Sequence, residues 1–254
     1  MNYLLLVCSD GVPTEAKAAA NRGGLPAWLE MLDRRGARAF GERLETPSAA
    51  KTVQLRGGET IVTDGPFADT KEFIAGFDII GCENLDEAIA IAAQHPVAES
   101  HCIEVRPFAQ PPDAPAFCSS DAHTAVADLA ARLGRPVPEG AQRFLVMPCV
   151  DGIAGTDDEE AWIMSDGERW ASALDERGIE VYGHALAPAD AATTVRVRDG
   201  ETLLSDGPFA ETKEFVGGFD VIDCAGIEEA VQIAADHPLA RFHRCEVRPF
   251  WRDA

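Results

Sequence analysis

"DGPFADTKEF" runs from Asp64 to Phe73, and "DGPFAETKEF" runs from Asp206 to Phe215. The two strings lie 142 residues apart and differ only at Asp69 and Glu211. Thr63–Phe108 aligns with Ser205–Phe250 without a gap, with 28 identities in 46 positions. Upstream, Trp28 meets Trp170, "DRRGARAFGERL" (33–44) meets "DERGIEVYGHAL" (175–186), and "TVQLRGGET" (52–60) meets "TVRVRDGET" (194–202). One extra residue in the second copy shifts the first strand, so that "YLLLVCSDG" (3–11) meets "FLVMPCVDG" (144–152). A repeat of this length far exceeds a solenoid module and matches one ordinary domain. The chain therefore divides into a first unit (1–108), a linker (109–142) and a second unit (143–251).

Each unit reads as β-α-β-hairpin-β-α-β. "YLLLVC" (3–8) is a continuous apolar run, as expected of a strand buried on both faces. A helix follows, with Trp28, Leu29 and Leu32 at helical spacing and Gly36 ending it. "ARAFGERL" (37–44) is the next strand, and "TVQLRGGETIVTDG" (52–65) is a hairpin turning at Gly57-Gly58. "EFIAGFDIIGC" (72–82) is a strand, and "NLDEAIAIAAQHP" (84–96) is a helix capped by Asn84 with Glu87 three residues on. "HCIEVRPF" (101–108) closes the unit. Two helices on one face of a mostly antiparallel sheet make an α+β, ferredoxin-like unit. The uncovered sheet face needs a partner, and the second copy can supply it. The linker is proline-rich and predicts one short helix. Ser120 or Asp121 would cap it, Val126, Leu129, Ala130 and Leu133 would form its apolar stripe, and Gly134 would end it.

The formal charge is −21 at a pI of about 4.5. Such a surface repels phosphate backbones and anionic lipid, which argues against nucleic acid and membrane partners. The opening has no basic n-region, and no stretch approaches the length of a membrane span, so a cytoplasmic protein is expected. The seven cysteines form no C-x-x-C and do not pair with histidines at zinc spacing, so free thiols and no bound metal or cofactor are expected.

Several polar residues recur in both copies. In Asp64-Gly-Pro and Asp206-Gly-Pro, turn chemistry accounts for the residue types; the functional alternative makes the aspartate a general base or ligand anchor. Lys71 and Lys213 read either as solvated charges or as cations steering an acidic ligand. Alternation places Asp78 on one strand face with Ile74, Gly76 and Ile80. Asp78 and its twin Asp220 are the candidate catalytic groups, desolvated if that face lines an inter-sheet cavity; the alternative is a strand-edge aspartate that reaches solvent or an arginine. Arg106 and Arg248 share a strand face with Glu104 and Glu246. They read as salt bridges or as clamps for a carboxylate ligand such as a small organic acid. His95 and His237 read as imidazolium caps of a helix C-terminus.

The run "TDGPFADTKEFIAGFDII…LDEAIAIAAQHP…IEVRPF" resembles YCII-related proteins of the DGPF type, across both units but not the linker. The resemblance implies a dimeric α+β barrel, with two ferredoxin-like sheets meeting face to face. Here both sheets come from one chain, an intramolecular pseudo-dimer. It further implies a small-molecule-binding or regulatory role, with members encoded beside extracytoplasmic-function sigma factors. The alternative is acid–base enzyme chemistry, of lyase, hydrolase or dehalogenase type, on an organic acid or lactone. Relatives are associated with a His–Asp pair, but the first strand of neither unit carries a histidine.

Overall fold

In a computed structural model the described residues are 1–10, 15–68, 70–110, 125–151, 157–210 and 212–252. In the two long helices, side chains are described from Gly24 and from Ser165 onward. The first unit contains β1 (Asn2–Ser9), α1 (Glu15–Arg35), β2 (Arg38–Arg43), β3 (Lys51–Arg56), β4 (Glu59–Asp64), β5 (Phe73–Gly81), α2 (Leu85–Ala93) and β6 (Cys102–Pro107). The linker contributes α3 (Val126–Leu133). The second unit repeats the pattern with β7 (Gln142–Val150), α4 (Asp157–Glu176), β8 (Val181–Ala185), β9 (Thr193–Arg198) and β10 (Glu201–Asp206). It ends with β11 (Phe215–Val216), β12 (Gly218–Cys224), α5 (Ile227–Ala235) and β13 (Arg244–Pro249).

Two antiparallel sheets result, in the orders β10-β9-β6-β1-β5-β2 and β4-β3-β13-β7-β12-β8, with β11 also on β7. Within each, β6-β1-β5-β2 and β13-β7-β12-β8 are the ferredoxin-like cores. The hairpins are exchanged: β3 pairs with β13, setting Val53 opposite Cys245, and β9 pairs with β6, setting Val195 opposite Ile103. Each unit completes the other's sheet. The hairpins were legible from their turns, where Gly57 and Gly58 have φ of 59° and 85° and Asp199 and Gly200 have φ of 53° and 80°. Their destination was not, because a hairpin motif specifies its own turn and not the sheet it joins.

β1 is buried along seven of its eight residues, as its apolar run predicts. Leu4, Leu6 and Cys8 face the second sheet, where they join Leu145, Met147, Phe77 and Phe219. Tyr3, Leu5 and Val7 face the helices with Trp28, Leu32 and Ile91. The second unit repeats this, with Phe144 and Val146 under Trp170 and Ile233. The layers are thus helices, sheet, sheet, helices. The indoles tie the helices together: Trp28 Nε1 donates to the Ile91 carbonyl at 3.0 Å and Trp170 Nε1 to that of Ile233 at 3.1 Å.

The barrel implied by the resemblance is not closed. The sheets keep free edges, every residue of β4 and β10 is exposed, and isolated bridges at Leu44–Phe250 and Phe108–Leu186 link one sheet to the other. The linker helix α3 packs Leu129 and Leu133 into the inter-sheet core beside β2, with Arg132 over the Tyr182 ring of β8 at 5.4 Å. Its expected caps, Ser120 and Asp121, lie outside the described residues. Six described cysteines are free thiols, and Cys118 lies outside the described set. Among the described residues, no helix is long and apolar enough to cross a membrane.

Hairpin exchange makes each unit incomplete alone. Residues 1–108 expressed by themselves should form a homodimer that exchanges β3–β4 between copies, or should fail to fold. A folded monomer in sedimentation analysis would contradict this.

Candidate functional site

Two polar constellations recur in each unit, on opposite faces of its sheet. The register separates them. Leu4 sits between Ile79 and Arg106, all facing the other sheet, whereas Leu5 sits between Asp78 and Val105, all facing the helices. In the second unit Leu145 lies between Val221 and Arg248, and Val146 between Asp220 and Val247. Asp78 and Asp220 therefore lie on the helix side and not on an inter-sheet cavity, as the sequence reading allowed. A bulge also breaks the expected alternation: Val7 opposes Gly76 but Cys8 opposes Ile74, which turns Ile74 into the inter-sheet core.

The first constellation joins the units. The Phe67 N–H donates to Glu246 Oε2 at 3.0 Å, and reciprocally the Phe209 N–H donates to Glu104 Oε2 at 2.9 Å. Each glutamate is in turn held by the arginine two residues on. Arg106 Nη1 donates to Glu104 Oε1 at 3.0 Å and its Nη2 to the Ala187 carbonyl at 2.5 Å. Arg248 Nη2 donates to Glu246 Oε1, and its Nη1 to the carbonyls of Glu45 and Ile74 at 3.1 and 3.0 Å. All four side chains are buried. The repeated "DGPF" of one unit and the "EVRP" of the other are thus hydrogen-bonding partners. Gly65 and Gly207, with φ of 97° and 90°, make the turn that presents each phenylalanine. The Asp64 carboxylate instead bonds Lys51 Nζ at 2.5 Å, and this exposed ion pair holds its pKa below the usual carboxylate range. Its twin Asp206 lies opposite Thr193 and is exposed. Lys71 and Lys213 are exposed as well. The structure does not bring Asp64, Lys71 or Arg106, nor their twins Asp206, Lys213 and Arg248, to the aspartates of the helix side.

The second constellation is what the helix side holds. Asp78 and Asp220 are buried, and each meets a histidine from the turn after the second helix of its unit. His95 Nε2 lies 3.9 Å from Asp78 Oδ2, and His237 Nε2 lies 3.4 Å from Asp220 Oδ2. The other ring nitrogen is committed: His95 Nδ1 accepts from the Val97 N–H at 3.2 Å, and His237 Nδ1 from the Leu239 N–H at 3.1 Å. A nitrogen that accepts a backbone bond carries no proton, so the neutral ring bears its hydrogen on Nε2, toward the carboxylate. The rings lie edge-on to Trp28 and Trp170 at 4.6 and 4.8 Å between centroids. These histidines cap the 3₁₀ turns at Pro96–Glu99 and Pro238–Arg241 rather than completing a helix C-terminus as imidazolium ions.

A glycine clears the space for each carboxylate. Any side chain at Gly41 of β2 would collide with Asp78, and any at Gly183 of β8 with Asp220. In the first unit Arg38 also donates from Nε to Asp78 Oδ1 at 3.3 Å and from Nη2 to the Gly41 carbonyl at 2.8 Å. Burial pushes Asp78 up to about 7, against the opposing pull of Arg38 and with a small push from Glu42. Burial pushes His95 down to about 4. The linked stability contributions have opposite signs. Asp78, raised, contributes stability below its unfolded pKa that is lost as pH rises through about 7. His95, depressed, contributes stability above its unfolded pKa that is lost as pH falls through about 4. Near neutrality the pair is a carboxyl group poised to exchange its proton beside a neutral imidazole.

Asp78 and His95 open into a cleft of about 580 Å³ between α1, β2 and β5, lined also by Leu29, Arg38, Arg43 and Gly76. The equivalent cleft of the second unit, with Asp220 and His237, has about 80 Å³. The sequence pointed to both aspartates but not to their histidines, Arg38 or the covering glycines. One signal was present: histidine follows aspartate by 17 residues in both copies, and the tryptophan recurs with them. Among the described residues, no cluster of three His, Cys, Asp or Glu is placed to hold a metal.

Duplicated α+β units with exchanged hairpins and a buried Asp–His pair in each define a two-sheet, two-cleft protein. The chain belongs to the YCII-related domain family, whose model matches it twice, at residues 1–110 and 145–252. It is similar to an uncharacterized protein of Rhizobium meliloti (strain 1021), 55% identical over 51 residues. That match covers 20% of this chain and 41% of the relative, so it spans under half of the relative's length. Among solved structures, a candidate chlorite dismutase superposes over 98% of this chain and 94% of its own, with 10% identity and a TM-score of 0.47.

The two constellations should respond differently to substitution. Glu246→Ala leaves Arg248 buried without its carboxylate and frees the Phe67 N–H, and should cost about 3–5 kcal/mol in denaturant unfolding. Asp64→Asn removes only an exposed pair and should leave the melting temperature unchanged. Equal effects of the two changes would contradict this assignment.

Proposed function

We propose that the chain binds a small organic molecule in the cleft of its first unit and transfers a proton to or from it through Asp78. The observation that supports this reading is the buried carboxyl group, brought to about 7 by desolvation, at the wall of a cleft large enough for a small molecule. An acid–base group is most effective when its pKa lies near the working pH, because both forms are then populated.

Each neighbour has a definable part. As Asp78 loses its proton, Arg38 stabilises charge on Oδ1, and the His95 Nε2–H lies on the Oδ2 side. The Val97 N–H fixes the imidazole tautomer, and Trp28 fixes the ring's tilt, so His95 positions the carboxylate rather than exchanging the proton. Gly41 leaves the carboxyl room beside β2. Binding without turnover, the regulatory alternative, would use the same cleft.

Proton transfer at carbon is visible as hydrogen exchange. A panel of small lactones and keto acids in D₂O, followed by ¹H NMR, should include a compound whose α-C–H signal decays with the wild-type chain. The decay should stop with Asp78→Asn. A compound that binds without exchanging supports the regulatory alternative, and exchange that survives Asp78→Asn contradicts the role given to this carboxyl group.

A further inference from the structure

The two clefts share the carboxylate, the imidazole, the indole and the covering glycine, but their rims have diverged. Arg38 of the first unit corresponds to Glu180 in the second, Glu42 to His184, and Arg43 to Ala185. Arg38 and Arg43 both line the first cleft. Among the described residues, the second cleft is lined by no lysine or arginine. Glu180 does not take up the vacated place: its carboxylate is bonded by Arg135 Nη1 at 2.7 Å, an exposed partner from the linker. The second cleft has about 80 Å³ against about 580 Å³ in the first, and only the first is in the size range of a small-molecule site.

Arg38 is built as a receptor. Its Nε and Nη2 bonds to Asp78 and the Gly41 carbonyl fix the guanidinium plane, and among the described residues its Nη1 has no bonding partner. The side chain is about a quarter exposed, at 26%, so it reaches the cleft without lying free in solvent. Arg43 is anchored by stacking on Trp251 at 3.9 Å. A fixed guanidinium with an unused N–H₂ group matches a carboxylate, whose oxygens accept its bonds. In a chain of formal charge −21, two arginines in one cleft, beside Glu42 and Asp78, and none among the described residues of its duplicate set the first cleft apart as the one that offers cations to an anionic ligand.

We infer that the first cleft is a receptor for a small carboxylate, with Arg38 as its specificity-determining residue, and that the second cleft keeps the Asp–His pair without the receptor. One chain then binds one anion, although it carries two family units. This inference rests on the first cleft being a ligand site, but not on any proton transfer there.

The test is a ¹H–¹⁵N NMR titration of the full chain with pyruvate, succinate and benzoate, each compared with its amide. At least one carboxylate should shift the Arg38 Nε–H and the Gly41 amide saturably, fit a one-site isotherm and leave the Gly183 amide in place. Its amide should bind at least about tenfold more weakly, as expected when a charged hydrogen bond is lost. Arg38→Gln should weaken the carboxylate to the level of the amide. If that variant does not fold, the carboxylate-against-amide contrast on the unaltered chain decides. The inference is overturned if none of the three carboxylates binds, if amides bind as well, if Gly183 shifts together with Gly41, or if folded Arg38→Gln binds at wild-type affinity. The two readings fail separately. A carboxylate held by Arg38 but never exchanging would sink only the proton-transfer reading, and exchange on a neutral compound without carboxylate binding would sink only this one.

Discussion

Glu104 and Glu246 each sit at the crossing of both sheets, and the architecture depends on them. Each carboxylate takes the backbone N–H of a phenylalanine from the opposite unit on one oxygen and a buried arginine on the other. Removing a charge pair from water is costly unless every donor and acceptor finds a partner. Here the carboxylate oxygens and the guanidinium Nη groups find theirs in both units, once the hairpins have been exchanged and the sheets have met, while the Nε–H of Arg106 and of Arg248 stays buried without a hydrogen-bond partner among the described residues. The exchange adds an interface that a face-to-face contact alone would lack: four strands pair across the unit boundary, through β3 with β13 and β9 with β6. An isologous contact of this kind requires the same surface twice, which explains why "DGPF" and "EVRP" recur together.

The same arrangement separates stability from chemistry. The Glu–Arg pairs occupy the inter-sheet face, while the Asp–His pairs occupy the helix-covered face of each sheet. Because the reciprocal contacts need both copies, the glutamate, arginine and phenylalanine that make them are identical in the two units, although apolar neighbours such as Leu6 and Met147 or Phe40 and Tyr182 differ. The clefts face outward toward their own helices and carry no such obligation. Arg38, whose bonds lie within its own unit, could therefore be replaced by Glu180 in the other copy without loss of a cross-unit contact, whereas the stacking of Arg43 on Trp251 has no counterpart at Ala185. A homodimer of single units would have two equal clefts by symmetry; a fused duplication can have one of each.

Local signals were legible in the sequence, and long-range destinations were not. The continuous apolar run of β1, the Asn84 cap that accepts from the Glu87 N–H, the glycine turns and the apolar stripe of α3 each depend on neighbouring residues, and each was read. The sheet joined by each hairpin depends on a partner far along the chain, 192 residues away for Val53 and Cys245 and 92 for Val195 and Ile103. Alternation placed Asp78 opposite Phe77 and Ile79, but not on the helix side, because one strand pattern fits either face. His95 was read from its position after a helix as a charged cap. Its neutral form follows only from the Val97 N–H that occupies Nδ1 and from burial under Trp28. Arg38 was invisible as a site residue because its twin is Glu180, and recurrence between copies was the guide to function.

Proton transfer in the first cleft requires Asp78 to hold its proton near neutrality. Carboxyl-carbon NMR of ¹³C-labelled aspartate, with Asp78→Asn to assign the signal, follows that proton directly from pH 4 to pH 9. The expected midpoint for Asp78 is about 7. Over that rise, wild type should lose about 4 kcal/mol of stability relative to Asp78→Asn, since the folded state binds the proton more tightly than the unfolded chain. A midpoint below about 5, within the ordinary carboxylate range, would contradict it.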